Sequence, residues 1–334
     1  MPFALNQEYT LPEILRSEAP DGSYLPFADV LSQQVPLIEE GYWEQANDKT
    51  SHELLQVASE PTGTLTRINE GIPWEAVTTH PVREHLALLE SMCRIDKRLV
   101  KKAPDPVRFR TDREKAHIRG MTKRFHDLVF FGGYVDATTK AVSNTYSADP
   151  RGFDGLRRRF NAAVTGSCTD GGGVTSTFSM YIIKWGVDGT MLLHPSDVSK
   201  GVETDDLKEQ MVYDASTNPY TAYVTRFGWQ FGLGIADPRA AKRLGKVNAT
   251  VFPDSSSAGE NWLIDLIENL PNGDTSQAAI YAGPQMMACM RKRLNTKANT
   301  YFTLETVWER PQLTFQGLPV IRVDSLGFDE AGNL

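Results

Sequence analysis

The chain has 334 residues, 40% of them hydrophobic, enough to bury more than one core. Acidic residues outnumber basic ones 42 to 35, and a net charge of −7 argues against a dedicated nucleic-acid binder. Three widely spaced cysteines (Cys93, Cys168, Cys289) exclude a disulfide framework, no basic-then-apolar secretion signal opens the chain, and no apolar run spans a bilayer, so synthesis in the cytoplasm is expected.

Residues 1–45 are punctuated by Pro2, Pro12, Pro20, Pro26 and Pro36, which forbids a long helix because each interior proline removes a backbone bond. Short helical turns fit around Leu11–Ser17 and Phe27–Gln34. Phe3, Leu5, Tyr9, Leu11, Ile14 and Leu15 are too apolar for a free tail, so the segment reads as an arm that packs on something, another subunit included. Residues 46–92 read as a long two-stranded excursion. Leu54, Leu55, Val57, Leu65, Ile68 and Ile72 lie among the turn signals Pro61-Thr-Gly63, Asn69-Glu-Gly71 and Ile72-Pro-Trp74. A hairpin of that length exposes its edges unless a partner covers them. Leu86–Met92 brings the chain back as a strand or short helix.

Arg94-Ile-Asp-Lys-Arg98 then leads into a long charged helix over about 106–131, which stops at Phe130-Phe-Gly-Gly133. Val107, Thr111, Glu114, Ile118, Met121, Phe125 and Leu128 follow the spacing of one helical face. That narrow stripe suits a helix laid across a sheet, its other side free for water or a neighbour. A loop delivers Asp149-Pro-Arg-Gly-Phe-Asp-Gly-Leu156. Ser176–Leu193 predicts two strands around Gly186-Val-Asp-Gly189, and Tyr220–Ile235 is a further aromatic, β-rich run. Asp237 as N-cap, Pro238 in the first turn and Gly245 at the end predict a short helix over 237–245. From Gly259 the pattern changes. Trp262, Leu263, Leu266, Ile267 and Leu270 define an amphipathic helix ended by Pro271, followed by a buried strand Ala278–Ala282 and a Met-rich helix Gln285–Leu294. Two strands over Leu313–Asp324, around a Gly317–Pro319 turn, complete an α/β unit of roughly 75 residues. The fold class is α+β.

No chemistry stands out against this scaffold. His117 and His126 are too far apart on a helix to share an ion, and His52, His80, His85 and His194 show no metal-ligand spacing. Gly232-Leu-Gly234-Ile-Ala-Asp237 lacks the third glycine of a dinucleotide loop, and Gly171-Gly-Gly173 lacks the Lys-Ser or Lys-Thr of a P-loop. Ser167-Cys168 beside Asp170 has no nucleophile elbow. Asp205-Asp206 and Glu39-Glu40 read as solvated faces. The expectation is no enzyme, no cofactor and no metal.

The charged and aromatic residues fit contact between subunits better. Arg108, Arg110, Arg113, Lys115, Arg119, Lys123 and Arg124 crowd the long helix, and Arg157-Arg-Arg159 adds a second cluster. With no aromatics interleaved for base stacking, pairing with acidic surfaces of neighbours is preferred to nucleic-acid contact. The candidate inter-subunit residues are therefore Arg67, Glu70 and Trp74 in the hairpin, with Arg108, Arg110, Arg113, Arg119, Arg157, Arg158 and Arg159.

The order of parts resembles the major capsid proteins of tailed double-stranded-DNA bacteriophages, the Hong Kong 97-type shell fold, and within them the short-tailed branch. The resembling residues are Thr10-Leu-Pro-Glu-Ile-Leu15, Thr66-Arg-Ile-Asn-Glu-Gly-Ile72, Arg94-Ile-Asp-Lys-Arg98, Phe130-Phe-Gly-Gly133, Arg151-Gly-Phe-Asp-Gly-Leu156 and Thr314-Phe-Gln-Gly-Leu-Pro-Val320. The resemblance implies an N-arm at 1–45 and an extended E-loop hairpin at 46–92. A P-domain at 93–258 would carry a spine helix at about 106–131 and a β-rich layer. An A-domain-like α/β unit at 259–334 would follow, its closing strands able to return to the P-domain. It implies self-assembly as hexamers and pentamers into an icosahedral virion shell around double-stranded DNA. Its implied partners are a separate scaffolding protein, a portal and, optionally, a decoration protein, with non-specific proximity to packaged DNA and no membrane. Lys49, the only lysine over 46–92, sits at the hairpin base, so an E-loop isopeptide crosslink is not expected. Two other readings stay open: an encapsulin-like compartment shell with cargo protein inside, and an enzyme whose cleft gathers Tyr281, Gln285 and Arg322.

Overall fold

A computed structural model describes residues 36–132, 152–160, 168–173, 177–197, 201–214, 216–248, 252, 258–294, 302–307 and 310–327. The turns expected at Leu11–Ser17 and Phe27–Gln34, with residues 1–35 of the expected 1–45 arm, lie outside the described residues. A short helix α1 (Pro36–Glu40) and strand β1 (Trp43–Gln45) precede a hairpin of β2 (Ser51–Ser59) and β3 (Thr78–Asp96), which settles Leu86–Met92 as strand. Asp96 ends β3 and caps α2 (Lys97–Lys102), its carboxylate accepting the Arg98 N–H at 2.7 Å. The long helix α3 runs Pro106–Phe131. After it come α4 (Leu156–Arg159), β4 (Cys168–Asp170), β5 (Thr177–Lys184), β6 (Thr190–His194), β7 (Glu203–Tyr213), β8 (Pro219–Ile235) and β9 (Ala241–Asn248). The C-terminal part supplies α5 (Ala258–Glu268), β10 (Ala278–Ala282), α6 (Pro284–Leu294), β11 (Phe302–Val307), β12 (Arg310–Phe315) and β13 (Leu318–Arg322).

The chain divides into two units, and β3, α3 and β8 contribute residues to both. The first holds residues 1–33, 88–125 and 201–230. In it β7 pairs antiparallel with β8, the ladder slipping between Asp206 and Glu209, where Lys208 takes a positive φ of 59°. Phe125 stacks on Trp229 with ring centroids 4.7 Å apart, and His117 on Phe227 at 5.9 Å. The buried face of α3 differs from the expected stripe. Val107 is 76% exposed, and Phe109 and Arg113 take the interior positions before Met121 and Phe125. Arg113 lays its guanidinium over the Phe109 ring at 3.8 Å, so a cation completes an apolar face that hydrophobic spacing alone misplaces. Strand β7 was not anticipated either, because its charged sequence is exposed along nearly its whole length.

The second unit holds residues 34–87, 126–200 and 231–334. There the last turns of α3, from His126 to Phe131, are buried on every side, so no free helix face exists at that end. Gly132 follows at φ 75°, and a Cβ there would come within 2.6 Å of the Gly155 nitrogen. A Cβ on Gly155 would likewise lie 2.6 Å from the Phe131 carbonyl carbon. The two glycine motifs flanking the loop are thus explained by two backbones that touch.

Seven strands form the main sheet, in the order β11-β12-β13-β10-β5-β9-β4. β10 runs parallel to β13 and antiparallel to β5, with Tyr281 opposite Tyr181. α5 and α6 pack on this sheet through Leu263, Leu266, Met286 and Met290, in one core with Phe178, Ile182, Leu244 and Val247. The C-terminal α/β elements are therefore not closed on themselves, since β5 and β9 join their sheet and share their core. β5 and β6, the two strands expected around Gly186–Gly189, lie in different sheets and share a single bridge between Trp185 and Thr190.

The helix expected at 237–245 is absent. Asp237 does cap a turn, accepting the Arg239 N–H at 2.8 Å, and the Ala240 N–H returns to the Asp237 carbonyl at 2.9 Å. The chain then extends as β9 between β5 and β4, with Ala241, Arg243, Leu244 and Val247 buried. Completing two ladders outweighs the local helix preference. β6, β8, β3 and β2 form the second sheet with β1 at its end, and β7 pairs with β8.

Candidate assembly surfaces

The hairpin β2–β3 is antiparallel from Ser51 opposite His85 to Ser59 opposite Thr78, and residues 60–77 form its tip. The tip shapes its own backbone. Asn69 turns at φ 72°, the Glu70 carboxylate accepts the Arg67 N–H at 2.8 Å, and the Glu70 N–H donates to the Arg67 carbonyl at 3.1 Å. The Glu75 carboxylate accepts the Gly63 N–H and the Thr64 hydroxyl at 3.0 and 3.1 Å. Its apolar side chains, however, have no cover: Leu65 is 101% exposed, Ile68 94% and Trp74 102%. The Arg67 guanidinium makes no ion pair or hydrogen bond among the described residues.

The base is the opposite. Arg159 on α4 grips Glu84 of β3 with two charge-assisted bonds of 2.5 and 2.6 Å and donates to the Asp154 carbonyl at 2.8 Å. Gln56 of β2 donates to the Ile235 carbonyl at 3.0 Å. Lys49 stands 3.8 Å from Asp197.

The candidate arginines thus separate. Arg110 pairs with Glu114 at 2.8 Å and Asp206 at 2.6 Å, and bonds Thr225 at 3.0 Å. Arg113, Arg157 and Arg159 are buried or paired within the chain, and Arg158 meets Asp154 at 3.1 Å. Arg67, Glu70, Trp74 and Arg108 are exposed, and Arg119 is half-buried. Sequence alone does not separate these groups, because a guanidinium buried on an aromatic ring and one in water look alike in composition.

A cavity of about 470 Å³ lies in the second unit, lined by Glu40, Tyr42, Trp185, Tyr281, Pro319 and Ile321 among others. The Trp185 indole donates to the Tyr281 hydroxyl at 2.7 Å, and that hydroxyl reaches the Glu40 carboxylate at 3.5 Å. Partial burial at the rim pushes the Glu40 carboxyl up to about 7, the Tyr281 contact opposing and the neighbouring Glu39 charge adding to it. Burial also raises the Tyr281 hydroxyl above its usual range. Of the three residues the enzyme reading would gather, only Tyr281 lines this cavity. Gln285 donates instead to the Gly327 carbonyl at 2.9 Å, and Arg322 bonds Asp324 at 2.7 Å. Among the described residues no group of three or more His, Cys, Asp or Glu could hold a metal ion, and no helix is long and apolar enough to cross a membrane.

Comparison with solved structures finds the same architecture in phage shells. A chain of bacteriophage Epsilon15, solved by cryo-EM, matches with a TM-score of 0.69 at 20% identity, covering 99% of both chains. The capsid of bacteriophage JBD30 matches with a TM-score of 0.51 at 11% identity, over 90% of this chain and 93% of that one. An encapsulin from Synechococcus elongatus PCC 7942 reaches a TM-score of only 0.44 at 9% identity, over 73% and 97%. No curated protein sequence matches. The long helix, the outstretched hairpin and the two sheets define the Hong Kong 97-type fold. The family model for the major capsid protein GP7 matches residues 19–333, and the chain belongs to that family of tailed-phage capsid proteins, components of the virion.

Proposed function

We propose that the chain assembles as hexamers and pentamers into an icosahedral shell around double-stranded DNA, without catalysing a reaction. The observation that carries this reading is the hairpin tip, whose turn is hydrogen-bonded within itself while Leu65, Ile68 and Trp74 stay in water. An isolated subunit gains nothing from such a projection, whereas a neighbour that covers it gains buried apolar area. Contacts between unlike patches of identical copies run head to tail and close into rings. In this reading residues 1–45 act as an N-arm and 46–92 as an E-loop. Residues 93–258 act as a P-domain and 259–334 as an A-domain, with Arg67, Glu70, Trp74, Arg108 and Arg119 meeting neighbours. A scaffolding protein, a portal and a decoration protein are the further partners, and synthesis takes place in the host cytoplasm. Coexpression with a scaffolding protein followed by electron microscopy tests it. Closed particles are expected, and subunits that stay monomeric at every concentration defeat it. Removal of residues 2–20 is expected to lower particle yield while leaving the subunit folded.

A further inference from the structure

The Glu40 cavity has an unbalanced chemistry. Among the described residues its lining carries one carboxylate and the aromatic residues Tyr42, Trp185 and Tyr281, yet no lysine, arginine or histidine. Among the described residues Glu40 makes no ion pair, and its carboxylate accepts from the Tyr281 hydroxyl at 3.5 Å. A carboxylate beside aromatic rings suits a flat, weakly hydrated cation, and a guanidinium fits that description better than an ammonium. Pro319 and Ile321 give the same cavity an apolar wall.

The hairpin tip has the complementary chemistry. Arg67 is exposed and held at the crest of the Arg67–Glu70 turn by backbone bonds, which leaves its guanidinium uncommitted among the described residues. Leu65 and Ile68 flank it, both almost wholly exposed. One patch is a cation between two apolar side chains, the other a carboxylate beside an apolar wall, and both belong to the same chain.

We infer that Arg67 at the hairpin tip of one copy docks in the Glu40 cavity of a neighbouring copy, pairing with the carboxylate while Leu65 and Ile68 cover the apolar wall. The contact joins two different patches of the subunit, which is the asymmetric kind that closes rings. It rests on the shell-subunit reading and adds the receptor for the tip. Arrival of the guanidinium also restores Glu40 to the charged form that its surroundings disfavour in the free subunit.

The test is a charge exchange in the full chain, coexpressed with a scaffolding protein and scored by particle yield. Arg67→Glu alone and Glu40→Arg alone are each expected to lower yield roughly tenfold or more, since each sets like charges together at a desolvated contact. The double exchange is expected to restore yield. A double variant no better than the singles, or singles that assemble like the parent, overturns the pairing. Loss with Glu40→Arg but not with Arg67→Glu also overturns it, and assigns the cavity to a cation from another protein. A second readout does not depend on yield. In particles of the Glu40→Cys/Arg67→Cys/Cys168→Ser variant, whose remaining Cys93 and Cys289 are buried, a short bis-maleimide should give a ladder of linked subunits on a denaturing gel, absent from variants carrying only one of the two added cysteines. Intact particles without a ladder overturn the docking. Failure of the unaltered chain to form any particle counts against the shell reading instead.

Discussion

At its base the β2–β3 hairpin is anchored by a buried ion pair between Glu84 and Arg159, whereas at its tip Leu65, Ile68 and Trp74 touch only water. Both ends belong to one hairpin, and both use a glutamate to organise an arginine. The difference lies in what the bond is for. Glu84 ties the strand to α4 through the Arg159 guanidinium, 75 residues away in sequence. Glu70 ties only the Arg67 backbone and leaves the guanidinium outward. The base is completed within the subunit, and the tip awaits completion from outside. Stability and assembly are therefore expected to separate along one strand pair.

Removing Glu84 should have the largest effect on the subunit. Glu84→Ala strands a guanidinium that is only 18% exposed, and breaking such a pair costs roughly 3–5 kcal/mol. Denaturant unfolding should show the loss as a lower midpoint at unchanged slope. The double variant Glu84→Leu/Arg159→Met should recover much of it, because a well-packed apolar pair can replace a buried ionic one. A double variant as unstable as the single would mean that the clamp acts through the Asp154 and Leu233 carbonyls that Arg159 also reaches. Gly155→Ala comes next. Its Cβ meets backbone on the Phe131 side, which cannot rotate away, so about 1–3 kcal/mol is expected from overpacking, again read by unfolding.

The two ends were unequally legible in the sequence. The bounds of α3 follow from its charge-rich run and the glycines after it, and the turn dipeptides mark 60–77 as a projection. The presence of glycine at 132 and 155 was visible, but that each answers the other needs the closure of the loop between them. Nothing in the sequence pairs Glu84 with Arg159, because both sit in charged surroundings that read as surface. Arg113 and Arg243 are hidden for the same reason: one lies on Phe109 and the other, wholly buried, donates to Ser179 at 3.0 Å. The cavity draws Glu40, Trp185 and Tyr281 from three distant segments, so no spacing rule finds it. The misread segment at 237–245 shows the limit most directly. The cap at Asp237 is real, but two flanking strands require a third where local preference favours a helix.

The cavity proposed to receive the tip adds a smaller, pH-dependent effect. Glu40 holds its proton more tightly in the folded subunit than in the unfolded chain, rising from 4.5 to about 7. Its contribution is therefore fully present below about pH 4.5 and is lost as pH climbs through 7. Because Glu40 is also partly exposed at the cavity rim, solvent screening makes the effect smaller than that of a fully buried carboxyl. His126, lowered by burial to about 4, works in the opposite direction, losing stability as pH falls from 6.5 toward 4. The informative quantity is thus the difference between the parent and Glu40→Gln. That difference should change between pH 4.5 and 7 and stay flat above, and a constant difference throughout would place Glu40 in plain solvent.

The smallest effect on the subunit is expected at the tip, and it is the one that most sharpens the contrast. Trp74→Ala or Ile68→Ser removes a side chain that touches nothing, so unfolding of the isolated subunit should shift by no more than about 0.5 kcal/mol. The same variants should lower particle yield, since a large apolar side chain loses its burial only where a neighbour supplies it. A tip substitution that destabilised the lone subunit as much as Glu84→Ala would show that residues 60–77 fold back onto their own chain. The division between an anchored base and an unfinished tip would then disappear. If stability and yield were both unchanged, the tip would be neither core nor interface, and the reach between copies would have to come from elsewhere in the chain.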